Sequence, residues 1–310
     1  MGELKIFINN NPKFKTTIES IVKEEVWDID NSPYIKVNGE GFEDGQKNIE
    51  VYCDDKLLME GIVLVKKSTF NLKVDLKETF KSMTNIKVII DREEYNIPVQ
   101  LKRLYGRVTY FDGTPVKNPI ALTNNDIKVI GNEEGYYEIC LAEKEEYIAI
   151  FNEDYSKEAL ECWLYDVNLI EDMELNVSID KFEIYRLHGW YGEHSVNIHF
   201  VPMSLTKVLE NMKYISNESS KNDDIWPQVS EEDIKVYIGN IEQKIVAFKE
   251  VEDFLYYENN GKTSRQAYLI SIAKETIVND VIKVVISNKT LKDNKEIIEK
   301  GESYYFGFLR

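Results

Sequence analysis

The sequence predicts an all-β protein built of tandem antiparallel β-sandwiches, with one short helix near residues 205–213. Short runs rich in Ile, Val and aromatic residues recur at intervals of roughly 8–12 residues, a spacing typical of sandwich strands. Gly, Pro, Asp and Asn separate these runs, as tight turns between antiparallel strands require. The chain also contains 19 Tyr residues, and tyrosine favours strands.

The expected organisation has three domains. A chain of 310 residues has room for about two or three of them. Shifts in composition and clusters of turn residues predict one sandwich over 1–101, a second over 102–181 and a third over 182–310. The third is expected to combine its strands with a hairpin, the short helix and a long loop.

The chain is strongly acidic, with 38 Lys and Arg residues against 55 Asp and Glu residues and a net charge of −17. A surface of this sign repels phosphate backbones and anionic lipids, which argues against a nucleic-acid partner and against membrane insertion. About half of the excess lies in residues 102–181, where the acidic side chains, including Glu161, are expected to form a solvated face.

The start of the chain and the cysteines say little about function. Residues 1–5 lack the pattern of a signal peptide, and no run of about 18 apolar residues could span a membrane. The expected location is cytoplasmic as written, unless a leader is missing from this sequence. Cys53, Cys140 and Cys162 are expected to be buried thiols, with a Cys140–Cys162 disulfide left open, and no cofactor is expected.

The first third is dense in strand signals. Strands are predicted over 4–8, 34–37, 49–53, 62–65, 70–74 and 86–90, whereas residues 16–28 suit a helix or a strand. The run from Pro33 through Gly39, Gly41 and Gly45 to Tyr52 resembles the start of immunoglobulin-like domains in bacterial surface proteins. This resemblance implies an immunoglobulin-like sandwich over 1–101 that acts as a spacer, an adhesion unit or a binding platform. The third domain is similar in its strand density.

The middle third has a regular order of turns and strands. Gly106-Arg107-Val108 comes first, Asp112-Gly113-Thr114-Pro115-Val116 follows, and Gly135-Tyr136-Tyr137 opens a later strand. Asp112-Gly113 is typical of a tight hairpin turn. Pro115 suits the start of a strand, where no ladder hydrogen bond is lost.

This order resembles the carboxypeptidase regulatory-like domain, a seven-stranded prealbumin-like sandwich. The matching positions are Gly106, Val108, Gly113, Pro115, Val116, Gly135 and Tyr137. Pro119 departs from the family pattern, which usually has alanine there. The resemblance covers residues 104–180 and implies an accessory module without catalytic residues.

The last third is predicted to open with a hairpin from Phe182 to Val201. Leu205, Val208, Leu209 and Met212 then follow the spacing of one helical face. Residues 217–233 are mostly polar and predict a long loop. Strands are predicted again over 234–238, 254–257, 268–272, 281–286 and 304–308.

All three histidines, His188, His194 and His199, lie in this hairpin, and with Glu193 they suggest a zinc site. If residues 189–192 form the turn, His188 lies opposite Glu193 and His194 points to the other face. His199 would then lie about 20 Å along the strand from Glu193, which is too far for a shared ion. We therefore expect no metal site. His188, Glu193 and His194 remain the residues of an alternative, a metal-dependent hydrolase.

Trp190 and Tyr191 are the preferred binding candidates. They lie between Gly189 and Gly192, at the expected tip of the hairpin. Two large aromatic side chains exposed on a turn suit contact with a sugar ring, a partner or a neighbouring domain. Trp226, in the predicted loop, is a similar candidate.

The chain contains no nucleophile elbow, HExxH pair, P-loop or dinucleotide-binding motif. We therefore expect a non-catalytic multidomain structural or interaction protein, of the kind found in bacterial surface, spore or phage assemblies or in adhesion. Its partner would be a protein or another copy of the chain, contacted through Trp190 and Tyr191 or the domain edges. The first alternative is a carbohydrate-binding protein that uses the aromatic hairpin tip, and the second is the hydrolase.

Overall fold

The structure is a computed structural model that describes residues 2–9, 33–76, 83–125, 127–142, 144–215, 226–257, 261–273, 280–292 and 295–308. These ranges contain 23 strands, one α-helix and one 3-10 turn, which confirms the predicted all-β class with one short helix. Residues 16–28 and the first part of the predicted loop 217–233 lie outside them. Within the same ranges, no helix is long and apolar enough to cross a membrane.

The first sandwich is made of two antiparallel sheets. Its strands are β1 (Glu3–Asn9), β2 (Tyr34–Glu40), β3 (Gly45–Cys53), β4 (Lys56–Val65), β5 (Thr69–Asp75), β6 (Asn85–Ile90) and β7 (Glu93–Pro98). One sheet has the order β1-β2-β5 and the other β4-β3-β6-β7. Ile8 and Ile35 of the first sheet share a core with Ile49 and Val51 of the second. The six strands predicted in this part are confirmed.

The middle part has eight strands. They are β8 (Lys102–Tyr110), β9 (Ile120–Thr123), β10 (Lys128–Ile130), β11 (Tyr136–Leu141), β12 (Glu145–Phe151), β13 (Cys162–Val167), β14 (Met173–Glu174) and β15 (Val177–Ile179). β8 pairs with β11 antiparallel and with β14 and β15 parallel. The predicted turn at Asp112-Gly113 is present, since Gly113 has a φ of 88° and its N–H donates to the carbonyl of Tyr110 over 2.9 Å.

The last part contains the helix and eight further strands. They are β16 (Phe182–Tyr191), β17 (Ser195–Ser204), α1 (Leu205–Ile215), the 3-10 turn Glu231–Asp233, β18 (Ile234–Ile238), β19 (Ile241–Gln243), β20 (Ile245–Tyr257), β21 (Gly261–Ala273), β22 (Ile282–Lys292) and β23 (Lys295–Tyr305). One sheet has the order β16-β17-β21-β20. The strands predicted at 254–257 and 268–272 belong to one long hairpin, β20–β21.

The start of α1 is fixed by a buried carboxylate from β23. The hydroxyl of Ser204 caps the helix by accepting from the N–H of Lys207 over 3.2 Å. Glu299 accepts from the backbone N–H of Thr206 over 3.2 Å and from its hydroxyl over 2.6 Å. These bonds satisfy two donors at a helix end that would otherwise be buried without partners.

The middle and last parts share one continuous sheet. β13 and β23 pair in parallel, which gives an eight-stranded sheet of order β10-β9-β12-β13-β23-β22-β18-β19. Ser303 also donates from its hydroxyl to the carbonyl of Trp163 over 2.7 Å, and Tyr304 and Phe306 enter the core of the middle part. The predicted domain boundary between residues 181 and 182 therefore divides two parts of the chain that share a sheet through the pairing of β13 with β23. The division into three domains stays a prediction.

Candidate binding site

The hairpin β16–β17 is present, but its turn lies three residues beyond the predicted position. Tyr191 pairs with Val196, and the N–H of Gly192 donates to the carbonyl of Ser195 over 2.7 Å. The turn is therefore 192–195, and Trp190 and Tyr191 are the last residues of β16 rather than its tip. The predicted pairing of His188 with Glu193 is also wrong, because His188 lies opposite His199.

The cause of this error is the role of Gly189. A glycine pair around two aromatic residues suggested a turn, but Gly189 lies inside the strand. A Cβ at this position would lie 3.1 Å from the rings of both Phe308 and Tyr305. Close packing therefore favours glycine at position 189, and sequence alone does not separate that role from a turn.

Trp190 and Tyr191 point to opposite sides of the sheet, as successive strand residues must. The ring of Tyr191 lies 4.5 Å from that of Phe308, which in turn packs against Tyr305 at 5.5 Å. Tyr191 thus covers the core between the two sheets of the last part. Trp190 lies on the outer side, where its ring stacks on that of His188 at 5.9 Å and 24° and its side chain is 39% exposed.

The outer side of the sheet places polar groups beside Trp190. Trp190 lies opposite Asn197, which lies opposite Ser271, while His188 lies opposite His199. Directly paired residues of antiparallel strands point to the same side. We call this surface, formed by Trp190, His188, Asn197, His199 and Ser271, the Trp190 face.

The amide of Asn197 is held in one orientation. The hydroxyls of Ser195 and Ser271 both donate to its Oδ1, over 3.3 and 2.8 Å. The Nδ2 donors therefore point away from these serines. A Cβ at Gly192 would lie 3.1 Å from that Nδ2, so the absence of a side chain at 192 leaves space beside the amide.

A partly buried ion pair lies beside the Trp190 face. Arg265 donates twice to one carboxylate oxygen of Asp253, over 2.8 and 2.6 Å, and its guanidinium lies 5.8 Å from the ring centre of Tyr185. Burial lowers the pKa of His199; the negative charge of Asp253 opposes this shift, and the smaller effect of Arg265 adds to it. His199 therefore adds a neutral imidazole to the face near pH 7.

The three candidate metal ligands do not come together. Glu193 and His194 form an exposed pair in the turn, with 3.6 Å between Oε1 and Nε2, while His188 lies within β16. Among the residues that the structure describes, no group of three or more His, Cys, Asp or Glu side chains could hold a metal ion. Cys53, Cys140 and Cys162 are buried, and no disulfide joins any two of them.

Trp226 belongs to a different part of the surface. Its carbonyl accepts from Nζ of Lys207 over 3.2 Å, and Lys207 lies in the first turn of α1. The helix α1 begins at the far end of β17, whereas the hairpin turn lies at the near end. The length of β17 separates the two by roughly 30 Å, at ~3.3 Å per residue. The sequence-predicted residues Trp190 and Trp226 therefore do not form one site.

One side of β16 continues from the Trp190 face into the core. Four β16 residues have partners on β17 that alternate along the strand, so all four point to one side. The pairs are Glu183 with Met203, Tyr185 with Val201, His188 with His199, and Trp190 with Asn197.

Glu183 forms a buried pair with Glu161 that sequence reasoning missed. The two side chains are 3% and 9% exposed, and the indole N–H of Trp163 donates to Oε1 of Glu183 over 2.8 Å. The Oε2 atom of each is buried and has no hydrogen-bond partner in the described part of the chain. Burial raises the pKa of Glu161 to about 7. Burial and the charge of Glu161 raise the pKa of Glu183 well above its usual range.

The expectation of a solvated acidic face is therefore wrong for Glu161. Its neighbours in the chain, Leu160 and Cys162, are buried, and so are Phe182 and Ile184 around Glu183. A single carboxylate between apolar residues was the available sequence signal. It did not reveal which partner the carboxylate would meet.

The structure thus defines an all-β protein of packed sandwiches, and the Trp190 face lies on the outer side of one sheet. No model of a known protein family matches the chain, and no curated protein matches it. A DUF3823 family protein from Bacteroides ovatus is similar at 12% identity and a TM-score of 0.21, over 67% of this chain and 100% of that chain. A candidate carbohydrate binding protein from Bacteroides uniformis has 8% identity and a TM-score of 0.21, over 66% and 97%. A tetra-tandem repeat from the extending region of a large adhesion protein has 9% identity and a TM-score of 0.15, over 99% and 75%. Likenesses at these TM-scores support no inference about function.

Proposed function

We propose that this protein is a non-catalytic multidomain binding protein and that the Trp190 face is its contact surface. The observation that carries the proposal is the environment of Trp190. Its indole is 39% exposed near the end of β16 and stacks on His188, while the ring of the next residue, Tyr191, which is 37% exposed, packs against Phe308 on the other side of the strand. A rigid, partly exposed tryptophan bordered by polar groups is typical of binding hot spots.

The burial of Glu161 and Glu183 argues against a catalytic role for this carboxyl pair. Glu161 and Glu183 are at most 9% exposed, and Trp163 covers Glu183. A catalytic acid must reach the reacting group of a substrate. Carboxyls that are enclosed in this way act on the stability of the fold instead.

In this proposal the other sandwiches carry the binding face. Residues 104–180 are taken as a carboxypeptidase regulatory-like module and residues 1–101 as an immunoglobulin-like one. Support comes from the glycines of the resemblance: Gly113 and Gly135 have φ values of 88° and 87° in turns. A Cβ at Gly106 would collide with the backbone of Leu175. Such modules act as spacers in a surface assembly or in adhesion.

The test compares Trp190→Ala with Tyr136→Ala, which removes a 51% exposed ring from the middle part. Each variant and the wild type are immobilised and exposed to the protein and polysaccharide fractions of the source cells. We expect the wild type and Tyr136→Ala to retain the same partner and Trp190→Ala to lose it. Equal retention by all three proteins, with matching circular dichroism, would contradict the proposal.

A further inference from the structure

We infer that the Trp190 face binds a neutral saccharide, with one sugar ring stacked on the indole of Trp190. This inference rests on the proposed binding function and names the class of ligand. The apolar faces of a sugar ring pack well on an aromatic ring, and its hydroxyls need donors and acceptors at the edge of that ring. The Trp190 face offers both.

The stacking surface is held in place before a ligand arrives. The rings of Trp190 and His188 are nearly parallel, at 24°, on one side of β16. Because both belong to a strand that is hydrogen-bonded to β17, the backbone that carries them needs no ordering on binding. A binding site on a flexible loop would lose more conformational freedom when the ligand binds. Trp226 is not part of the Trp190 face, because its carbonyl is bonded to Lys207 at the start of α1.

The polar groups lie beside the ring at fixed positions. Asn197 is directly opposite Trp190, and two serine hydroxyls orient its amide through Oδ1. Its Nδ2 group is a donor for a ring hydroxyl, and the hydroxyls of Ser195 and Ser271 can accept. Gly192 adds no side chain to this space, where a Cβ would lie 2.8 Å from Oγ of Ser195.

Charge favours a neutral ligand over an acidic one. Asp253 neutralises Arg265, and the lowered pKa of His199 keeps that imidazole uncharged near pH 7. Lys249 lies on β20, at the edge of the sheet, two strands from His199 and three from His188, or about 10 and 14 Å at ~4.8 Å per strand. The net charge of −17 also repels polyanions.

A small ligand also fits this surface better than a protein does. Protein interfaces usually surround an aromatic anchor with a broad, well-packed apolar core. Here the residues opposite Trp190 and His188 are Asn197 and His199, and the partly exposed Leu269 follows opposite His199, so polar side chains directly border the indole.

The experiment is affinity electrophoresis of the full chain in gels containing starch, mixed-linkage β-glucan, galactomannan or xylan, with polygalacturonate as the anionic comparison. Isothermal titration with oligosaccharides follows for any polymer that retards the protein. We expect retardation by at least one neutral polymer. Trp190→Ala should weaken this binding about 30-fold or more, as for a hot-spot residue. Asn197→Ala should weaken it less, and Trp190→Tyr should keep much of it.

The controls separate this inference from the proposed function. Tyr136→Ala should bind as the wild type does, and thermal melts of every variant should match. The inference is overturned if no neutral polymer retards the wild type, if Trp190→Ala binds equally well, or if polygalacturonate binds more tightly. If Trp190→Ala still loses a protein partner in that case, the proposed function stands. If Trp190→Ala loses nothing, both fail.

Discussion

The two ends of strand β16 carry aromatic side chains on the same side, yet one end is core and the other is surface. Tyr185 packs against Trp163 at 5.4 Å, whereas Trp190 stacks only on a neighbour from its own strand, His188, among the ring contacts seen in the described ranges. The difference comes from β13, which brings Trp163 over the first end through its pairing with β23. A strand residue thus becomes core or contact surface according to which distant strand reaches it.

Trp163→Ala should produce the largest loss of stability. Trp163 contacts Tyr147, Tyr165 and Tyr185 and is the donor to Glu183, so the substitution leaves both a cavity and an unpaired buried oxygen. We expect the free energy of unfolding, from urea titration, to fall by about 2–4 kcal/mol. Trp163→Phe, which keeps a ring, should lose less. A loss below about 0.5 kcal/mol for Trp163→Ala would remove the contrast between the two ends of β16.

Glu183→Gln should change how stability depends on pH. The folded Glu161–Glu183 pair keeps protons that the unfolded chain releases above its ordinary pKa of 4.5. Folding then takes up protons, so this contribution to stability is present below pH 4.5 and is lost as the pH rises through about 7. The Gln amide can accept from Trp163 and donate to Glu161 without a proton from solvent. We expect the variant to be more stable than the wild type at pH 8, by about 1–3 kcal/mol, and similar to it at pH 5.

The control for that substitution is Glu158→Gln, which neutralises an exposed carboxylate in the same part of the chain. Its unfolding curves should follow those of the wild type at both pH values. If Glu183→Gln were less stable at pH 8 than at pH 5, in parallel with the wild type, the pair would not share a proton.

Tyr191→Ala should cost about 1–2 kcal/mol, because its ring closes the core over Phe308. Tyr191→Phe keeps this ring contact and should lose clearly less. Both changes are measured by thermal and urea unfolding. If Tyr191→Ala left stability unchanged but removed ligand binding, Tyr191 would belong to the binding surface instead of the core.

Trp190→Ala should have the smallest effect on stability, within about 1 kcal/mol, because the ring is partly exposed and contacts chiefly His188. Its effect should appear in binding. A substantial loss of stability would place Trp190 with Trp163 as a core residue.

Much of the fold could be predicted from local patterns. Alternation located the strands of the first sandwich, and the spacing of Leu205, Val208 and Leu209 located the helix Leu205–Ile215. The candidate site was found only in part. Trp190 was identified, but Asn197 and Ser271 were not, since strand register decides which residues lie opposite Trp190.

By itself the sequence determined the all-β class, the hairpin around the histidines and the residue that dominates its outer surface. Tertiary structure decided the register of that hairpin, because Gly189 packs against Phe308 instead of forming a turn. It also decided the continuous sheet across β13 and β23 and the burial of Glu161 against Glu183. These features join residues 22 to about 140 positions apart in the chain, as in the bond from Ser303 to Trp163. Local periodicity reports only which side of a strand is apolar, and it carries no information about which distant strand will cover that side.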